Sequence, residues 1–195
     1  MRRTSLYLWV VGKISPTRDF TWVEQEINNP YRAVRYGIEE KAMANTYSQI
    51  HIQVVFAVQN RVSLIGNDWK DELYKYITGV IQNHDHKVLQ INGMPDHIHI
   101  LIGLRPTQAL ADLMKMVKQD SSKWINLKGF VKGKFSWQAG YGAFSYSKEQ
   151  IPRVINYIQN QVKHHSKKSF LKEYEELLKT HEIEYDQRYI FKPIE

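Results

Sequence analysis

The chain has 195 residues, a length that suits about one domain with room for an appended segment. Hydrophobic residues make up 43% and charged residues 24%, which is the composition of a globular protein and excludes extensive disorder. The 27 Lys and Arg residues exceed the 20 Asp and Glu residues, and the resulting charge of +7 favours nucleic acid or an acidic surface as a partner.

Two kinds of feature are missing from the sequence. It contains no cysteine, which excludes disulfide frameworks, cysteine-based zinc sites and thiol nucleophiles. Any bound metal must therefore be held by His, carboxylate or amide side chains. The longest apolar runs, residues 50–58 and 98–104, have the length of strands and fall short of the roughly 18 residues that a membrane span needs. We therefore expect no membrane partner.

Residues 1–42 show no sustained helix or strand period, whereas regular patterning starts just after Met43. The apolar stretch near the start is short, is interrupted by Lys13 and lacks a small-residue cleavage site, so we do not expect secretion. We predict that residues 1–42 are an N-terminal extension that is poorly ordered or not native, with Met43 as a candidate initiator. Residues 43–195 then form the folded domain.

From residue 48 onward the hydrophobic period alternates between that of strands and that of helices. The predicted elements are a strand at 48–59, a helix that Asn67-Asp68 caps and that ends near His84, a hairpin of strands 87–92 and 97–104, a helix after residue 107, and a strand at 135–145. This βαββαβ order predicts an α+β, ferredoxin-like antiparallel sheet with helices on one face. Gly140 and Gly142 in the last strand favour either a hinge or a β-bulge.

Further helices are predicted at the C-terminal end of the chain. A capping box, Ser147-x-x-Gln150, opens a third helix. Its apolar stripe consists of Ile151, Val154, Ile155, Ile158 and Val162. A last helix is indicated by an apolar period of 3.6 over Phe170, Tyr174, Leu177 and Leu178.

The segment His97-Ile98-His99 lies in the predicted third strand. Because side chains alternate along a strand, both imidazoles share one face while Ile98 and its neighbours point into the core on the other face. Two imidazoles on a rigid strand provide half of a metal site. The alternative is that both histidines are polar residues on a solvated strand face.

Tyr157 and Gln161 are four residues apart in the third helix and share a stripe next to its apolar one. A hydroxyl and an amide oxygen would therefore face the same space. Taken singly, Tyr157 would be an aromatic at the core edge and Gln161 a solvated residue.

Basic residues near two helices are candidates for contacts with DNA. Lys115, Lys118 and Lys123 cluster in the second helix, where they could follow a phosphate backbone or form an ordinary solvated face. His164 and His165 lie at the end of the third helix, where the helix dipole alone favours positive charge. We assign all five residues as candidate DNA contacts.

Three groups of residues together resemble the single-tyrosine HUH transposases of small insertion sequences, where U is a hydrophobic residue. The groups are Asp96-His97-Ile98-His99, the segment from Trp137 to Ser145, and Tyr157-Ile158-Gln159-Asn160-Gln161 with His164-His165. The resemblance extends from about Met43 to the end of the chain.

The resemblance implies an HUH nuclease fold, a homodimer and a bacterial or archaeal cytoplasm. It also implies cutting and rejoining of single-stranded DNA at hairpin-bearing element ends. In that family, the residue at Tyr157 is the nucleophile and yields a 5′-phosphotyrosine intermediate, those at His97 and His99 bind the metal, and that at Gln161 is a third ligand. Two neutral imidazoles and one amide favour Mg²⁺ or Mn²⁺ over a closed zinc cage.

Two other functions and two other tyrosines compete with this interpretation. A related HUH nuclease that has lost mobility could process chromosomal repeat hairpins or act as a nickase. A non-catalytic, RRM-like module could use the same topology to bind single-stranded nucleic acid on exposed aromatics of its central strands. Tyr141 and Tyr146 are alternative nucleophiles, but both precede the helix in strand or loop.

Overall fold

A computed structural model describes residues 47–166, 168–187 and 190, so the predicted extension at 1–42 lies outside the described residues. The strands are β1 (Ile50–Ala57), β2 (Lys87–Met94), β3 (His97–Leu104) and β4 (Gly142–Tyr146). The helices are α1 (Lys70–Asn83), α2 (Leu110–Lys128), α3 (Ile151–Gln159), α4 (Gln161–His165) and α5 (Phe170–Thr180). No helix within these described ranges combines the length and hydropathy that crossing a bilayer requires.

The four strands form one antiparallel sheet in the order β2-β3-β1-β4. β1 and β3 are the central strands, and a two-residue turn, Pro95-Asp96, joins β2 to β3 as the hairpin pattern predicted. With α1 and α2 in the connections, the order is βαββαβ. The predicted ferredoxin-like class is confirmed.

One face of the sheet carries the main hydrophobic core beneath α1 and α2. Alternate residues of the central strands, among them Val54, Phe56 and Ile100, are fully buried there. They pack against α1 through Leu73 and Ile77 and against α2 through an equivalent stripe. Burying each such side chain contributes roughly 1.5–3 kcal/mol, so this layer fixes the strand register.

The three C-terminal helices cover the opposite face of the sheet. Val55 and Ala57 of β1 pack against Phe170 and Tyr174 of α5, and Leu101 of β3 packs against α3. The central strands are therefore buried on both faces. An RRM-like binder needs exposed aromatics on these strands, so this arrangement argues against the RRM-like alternative.

The fourth strand is shorter than predicted. Residues 135–141 do not belong to it, and Trp137 makes only an isolated bridge to Val58. The β1–β4 register is continuous from Gly142 to Tyr146, so the bulge interpretation is wrong for this stretch. Gly142 instead permits close approach, because a Cβ atom there would lie 2.7 Å from the Tyr174 ring.

Helix starts follow the predictions in one case and not in another. The capping box forms, with the Ser147 backbone N–H donating to Gln150 Oε1 at 2.9 Å, and it opens a 3₁₀ turn at 148–150 that leads into α3. The cap predicted at Asn67-Asp68 is wrong. Trp69 is the N-cap of α1 and makes no side-chain capping bond.

Candidate functional site

His97 and His99 lie on the face of β3 that α3, α4 and α5 cover, and neither side chain is exposed. They pair in register with Ala57 and Val55 of β1, while Ile98 points into the main core. The solvated-face interpretation of the two histidines is therefore wrong. Two imidazoles stand side by side in a buried layer, with their ring centroids 5.1 Å apart.

An acid on the β2–β3 turn orients the His97 ring. His97 Nδ1 donates to Asp96 Oδ1 at 2.7 Å, and Arg61 Nη2 donates to Asp96 Oδ2 at 3.0 Å. Burial alone would raise the pKa of Asp96, but its contacts with His97 and Arg61 hold that pKa below the usual value. Burial lowers the pKa of His97 to about 4, so the ring is neutral at pH 7 and its Nε2 lone pair is free.

The Gln53 amide contacts the His99 ring and is itself held by the Tyr146 hydroxyl. Gln53 Nε2 lies 3.0 Å from His99 Nδ1, and the Tyr146 hydroxyl donates to Gln53 Oε1 at 3.0 Å. A ligand on His99 Nε2 requires a proton on Nδ1. If the Gln53 amide is rotated by 180°, its oxygen accepts that proton. The Tyr146 hydroxyl then accepts a hydrogen bond from the amide nitrogen.

A break at Asn160 separates α3 from α4 and turns Gln161 inward. The side-chain amide of Asn92, on β2, donates to the carbonyls of Ile158 at 2.9 Å and Gln159 at 3.0 Å, which ends α3. Gln161 is fully buried, whereas Val162 is 62% exposed. The predicted apolar stripe is therefore wrong at Val162, because it assumed one continuous helix.

Glu173 of α5 is the buried carboxylate at the centre of the site, and it is 2% exposed. Its Oε1 atom accepts a hydrogen bond from the Tyr157 hydroxyl and another from Gln161 Nε2 at 3.1 Å. Its Oε2 atom faces the imidazoles. The Nε2 atoms of His165, His99 and His97 lie at 2.8, 3.6 and 3.8 Å from it.

The chemistry of the cluster fits a divalent cation. One ligand atom from each of His97, His99, His165 and Glu173 can be chosen so that all four lie within 4.8 Å of one another. Five buried atoms in this region have no hydrogen-bonding partner among the described residues, which is costly unless something else binds them. They are the Nε2 atoms of His97, His99 and His165, Gln161 Oε1, and Glu173 Oε2.

The Tyr157 side chain lies beside this cluster of imidazoles and the Glu173 carboxylate. Its ring lies edge-on to those of His99 and His164, at centroid distances of 5.9 and 5.2 Å. Burial, and then the negative charge of Glu173, raise the pKa of the Tyr157 hydroxyl well above its ordinary value. Burial would raise the pKa of Glu173 as well, but its contacts with His165 and His99 lower it strongly. The resting pair is therefore a neutral phenol and a carboxylate.

The other two candidate tyrosines make different contacts from those of Tyr157. Tyr141 packs against the main core, on the face of the sheet opposite to the histidines. Tyr146, like Tyr157, is followed by a glutamine four residues later, but Gln150 is engaged in the capping box and the Tyr146 hydroxyl donates to Gln53. The structure thus brings Tyr157, Gln161 and both strand histidines around Glu173.

A groove of about 690 Å³ opens beside Tyr157 on the outer side of α3 and α4. None of the described residues that line it is acidic, and the surface carries two amides and two ammonium groups. The lining residues are Asn156, Tyr157, Asn160, Lys163, His164 and Lys168. Of the two histidines assigned to DNA contact, His164 lines this groove, whereas His165 is directed into the Glu173 cluster.

The predicted lysine contacts lie on α2, which packs on the other face of the sheet. Lys115 and Lys123 are exposed there. Lys118 is engaged structurally, because its Nζ atom donates to the carbonyls of Gln138 and Gly140 at 2.6 Å each and burial lowers its pKa. It therefore anchors the loop that precedes β4.

Glu173 is the residue that sequence reasoning missed. It stands one position before Tyr174, inside the apolar stripe of the last predicted helix. An acid at an inward position of an amphipathic helix was the available signal, since carboxylates are rarely buried without a partner.

A family model and a characterised relative that resemble the chain are both described as transposases. Residues 46–161 match the family model described as IS200-like transposase. The chain is 24% identical over 118 residues, 58% of this chain and 84% of the relative, to the ISDra2 transposase TnpA of Deinococcus radiodurans.

Two solved structures resemble the chain at lower levels of identity. One is a Deinococcus radiodurans R1 protein described as a transposase, with a TM-score of 0.48, 20% identity, and coverage of 60% of this chain and 95% of that one. The other is a REP-associated tyrosine transposase bound to a REP hairpin, with a TM-score of 0.47, 18% identity, and coverage of 62% and 72%.

Proposed function

The chain belongs to the IS200-like transposase family, and from this premise we propose that it cleaves and rejoins single-stranded DNA at hairpin-bearing element ends. The observation that carries the proposal is the convergence of one tyrosine hydroxyl, two strand imidazoles and a buried amide on one space. The same chemistry would serve a mobile element or an enzyme that processes chromosomal repeat hairpins.

Tyr157 is the proposed nucleophile. Its oxygen would form a bond to the scissile phosphorus while the bond to the 3′-oxygen breaks, and the phenolic proton would end on the departing 3′-hydroxyl. The product is a 5′-phosphotyrosine ester, which conserves the phosphodiester bond energy for rejoining. Burial beside Glu173 keeps Tyr157 protonated at rest, so its ionisation needs a positive neighbour at the moment of attack.

The proposed ligands of the cation, Mg²⁺ or Mn²⁺, are His97, His99 and Gln161. When bound, this ion would polarise the phosphate oxygens and offset the charge that develops on them. Asp96 and Gln53 fix the two imidazole rings from behind, and the surrounding helices exclude water. These three ligands are neutral, so they do not themselves offset the positive charge of the cation.

The single strand is proposed to enter along the groove beside Tyr157, where Lys163 offers positive charge. Lys168 also lines the groove, and its ammonium group pairs with Glu176. Lys115 and Lys123 on α2 would extend the contact to other parts of the hairpin. We also propose a homodimer, although the described residues of one chain already place Tyr157 against its own histidines. Sedimentation of the protein with and without DNA tests that assembly.

Lys163→Gln tests the proposed path of the strand. Because one phosphate contact is lost, the slope of log K against log[salt] for a single strand should fall by about 0.7. The measurement is a salt titration of binding to a labelled hairpin with single-stranded flanks. Lys75→Gln, an equally charged change on α1 across the sheet, should leave the slope unchanged. Equal slopes for Lys163→Gln and wild type would place the strand elsewhere.

The nuclease chemistry itself is tested with purified protein, labelled single-stranded hairpin DNA and Mn²⁺ or Mg²⁺. We expect a covalent protein–DNA adduct on a denaturing gel that requires the cation. Tight binding of many hairpins without any adduct, with or without metal, would contradict the proposed function and favour a non-catalytic binder.

A further inference from the structure

We infer that Glu173 couples the tyrosine to the cation site: its Oε2 atom is an additional ligand, and its Oε1 atom positions Tyr157. This inference rests on the proposed function and adds a residue from α5 to it. The family match ends at residue 161, so both Glu173 and His165 belong to a part of the chain beyond the matched segment.

The burial of Glu173 is the first support for this role. A carboxylate that is 2% exposed loses most of its hydration, which costs several kcal/mol unless other groups replace the water. Three imidazole nitrogens lie within 3.8 Å of its Oε2 atom, yet that atom has no partner in hydrogen-bonding geometry among the described residues. A ligand position for a cation accounts for both facts.

The two oxygens of the Glu173 carboxylate contact different groups. Oε1 receives the Tyr157 hydroxyl and the Gln161 amide, so it fixes the nucleophile and one proposed ligand together. Oε2 is turned to His97, His99 and His165. Glu173 thus contacts the tyrosine and all three of these imidazoles.

The packing of α5 on β1 fixes the position of the Glu173 carboxylate. Phe170 and Tyr174, on either side of it along the helix stripe, pack against Val55 and Ala57 of β1. The apolar contacts of α5 therefore set the height of the carboxylate above the sheet. A shift of this helix would move the tyrosine contact and the imidazole contacts together.

Three substitutions separate the two roles. Glu173→Gln keeps an oxygen that accepts from Tyr157 but removes the charge, Glu173→Asp keeps the charge but shortens the reach, and Glu173→Ala removes both. Glu175→Gln is the matched control, since it makes the same change in charge on the same helix, at a residue whose ion pair with Lys179 is on the surface. Thermal unfolding of each variant reports whether it is folded.

The first readout is the binding of Mn²⁺ alone, measured by electron paramagnetic resonance or calorimetry in the absence of DNA. We expect Glu173→Gln and Glu173→Ala to weaken Mn²⁺ binding by at least about tenfold, as losing a group of the metal environment typically does. Glu173→Asp should recover part of the loss. Glu175→Gln should bind as wild type does.

The second readout is the rate of adduct formation at saturating Mn²⁺. Glu173→Gln should retain more of the rate than Glu173→Ala, because only the glutamine still accepts from Tyr157. Unchanged Mn²⁺ affinity in every folded Glu173 variant would overturn the inference. If wild type binds Mn²⁺ but forms no adduct, the proposed function fails, whereas the ligand role stands or falls on the affinities alone.

Discussion

Tyr157→Phe is expected to abolish the covalent protein–DNA adduct, reducing its rate of formation by about four orders of magnitude or to below detection. The substitution removes only the hydroxyl, which is the atom that would bond to phosphorus. The ring keeps its contacts with His99 and His164, so the fold and the groove should persist. The measurement is a time course of adduct formation with labelled hairpin DNA and Mn²⁺, resolved on a denaturing gel.

Tyr141→Phe is the matched control for this experiment, because Tyr141 lies against the core on the opposite face of the sheet. That variant should form adduct at the wild-type rate. Binding of the hairpin by Tyr157→Phe should remain within a few-fold of wild type, which separates chemistry from affinity. Adduct that persists in Tyr157→Phe would transfer the nucleophile's role to another tyrosine, and Tyr146 would be tested next.

The sheet and its first layer of helices are predictable from the sequence. The period of two in β1 and β3 assigns Val54 and Phe56 to one face and Val55 and Ala57 to the other, and the structure agrees. Local patterning suffices here because each side chain's face follows from its parity along the strand. It places the two strand histidines on the same face in the same way.

The position of the C-terminal helices does not follow from local patterning. An amphipathic stripe shows that a helix buries one side, but not which surface it covers. The break at Asn160 depends on Asn92, 66 to 67 residues from the carbonyls that it binds. No local signal marks that contact, and the apolar stripe predicted from the sequence includes Val162 for this reason.

Local patterning does not place Glu173 in the site either. Its partners come from β3, α3 and α4, and only the packing of α5 onto β1 brings the carboxylate among them. The sequence therefore yielded the residues that carry a family motif, while the acid that contacts them emerged from tertiary structure.

The second large effect is the loss of stabilisation by Mn²⁺ when His97 and His99 are both replaced. In wild type, Mn²⁺ at about 100 times its dissociation constant should stabilise the fold by about 2.7 kcal/mol, because the cation binds buried atoms that exist as a cluster only in the folded state. For a domain of this size, that corresponds to a rise in Tm of about 5–10 °C. A double variant, His97→Gln with His99→Gln, should lose the Tm shift and the adduct together.

His86→Gln provides the control for the loss of a buried imidazole. His86 is 3% exposed and lies outside the cluster, where its Nε2 atom is 2.7 Å from Gln108 Oε1 and its Nδ1 atom accepts from the Arg105 backbone. That variant should have a lower Tm than wild type but an undiminished shift with Mn²⁺. A full shift in the His97/His99 double variant would mean that the cation binds elsewhere, and the ligand assignment would then be wrong even if Tyr157 remained the nucleophile.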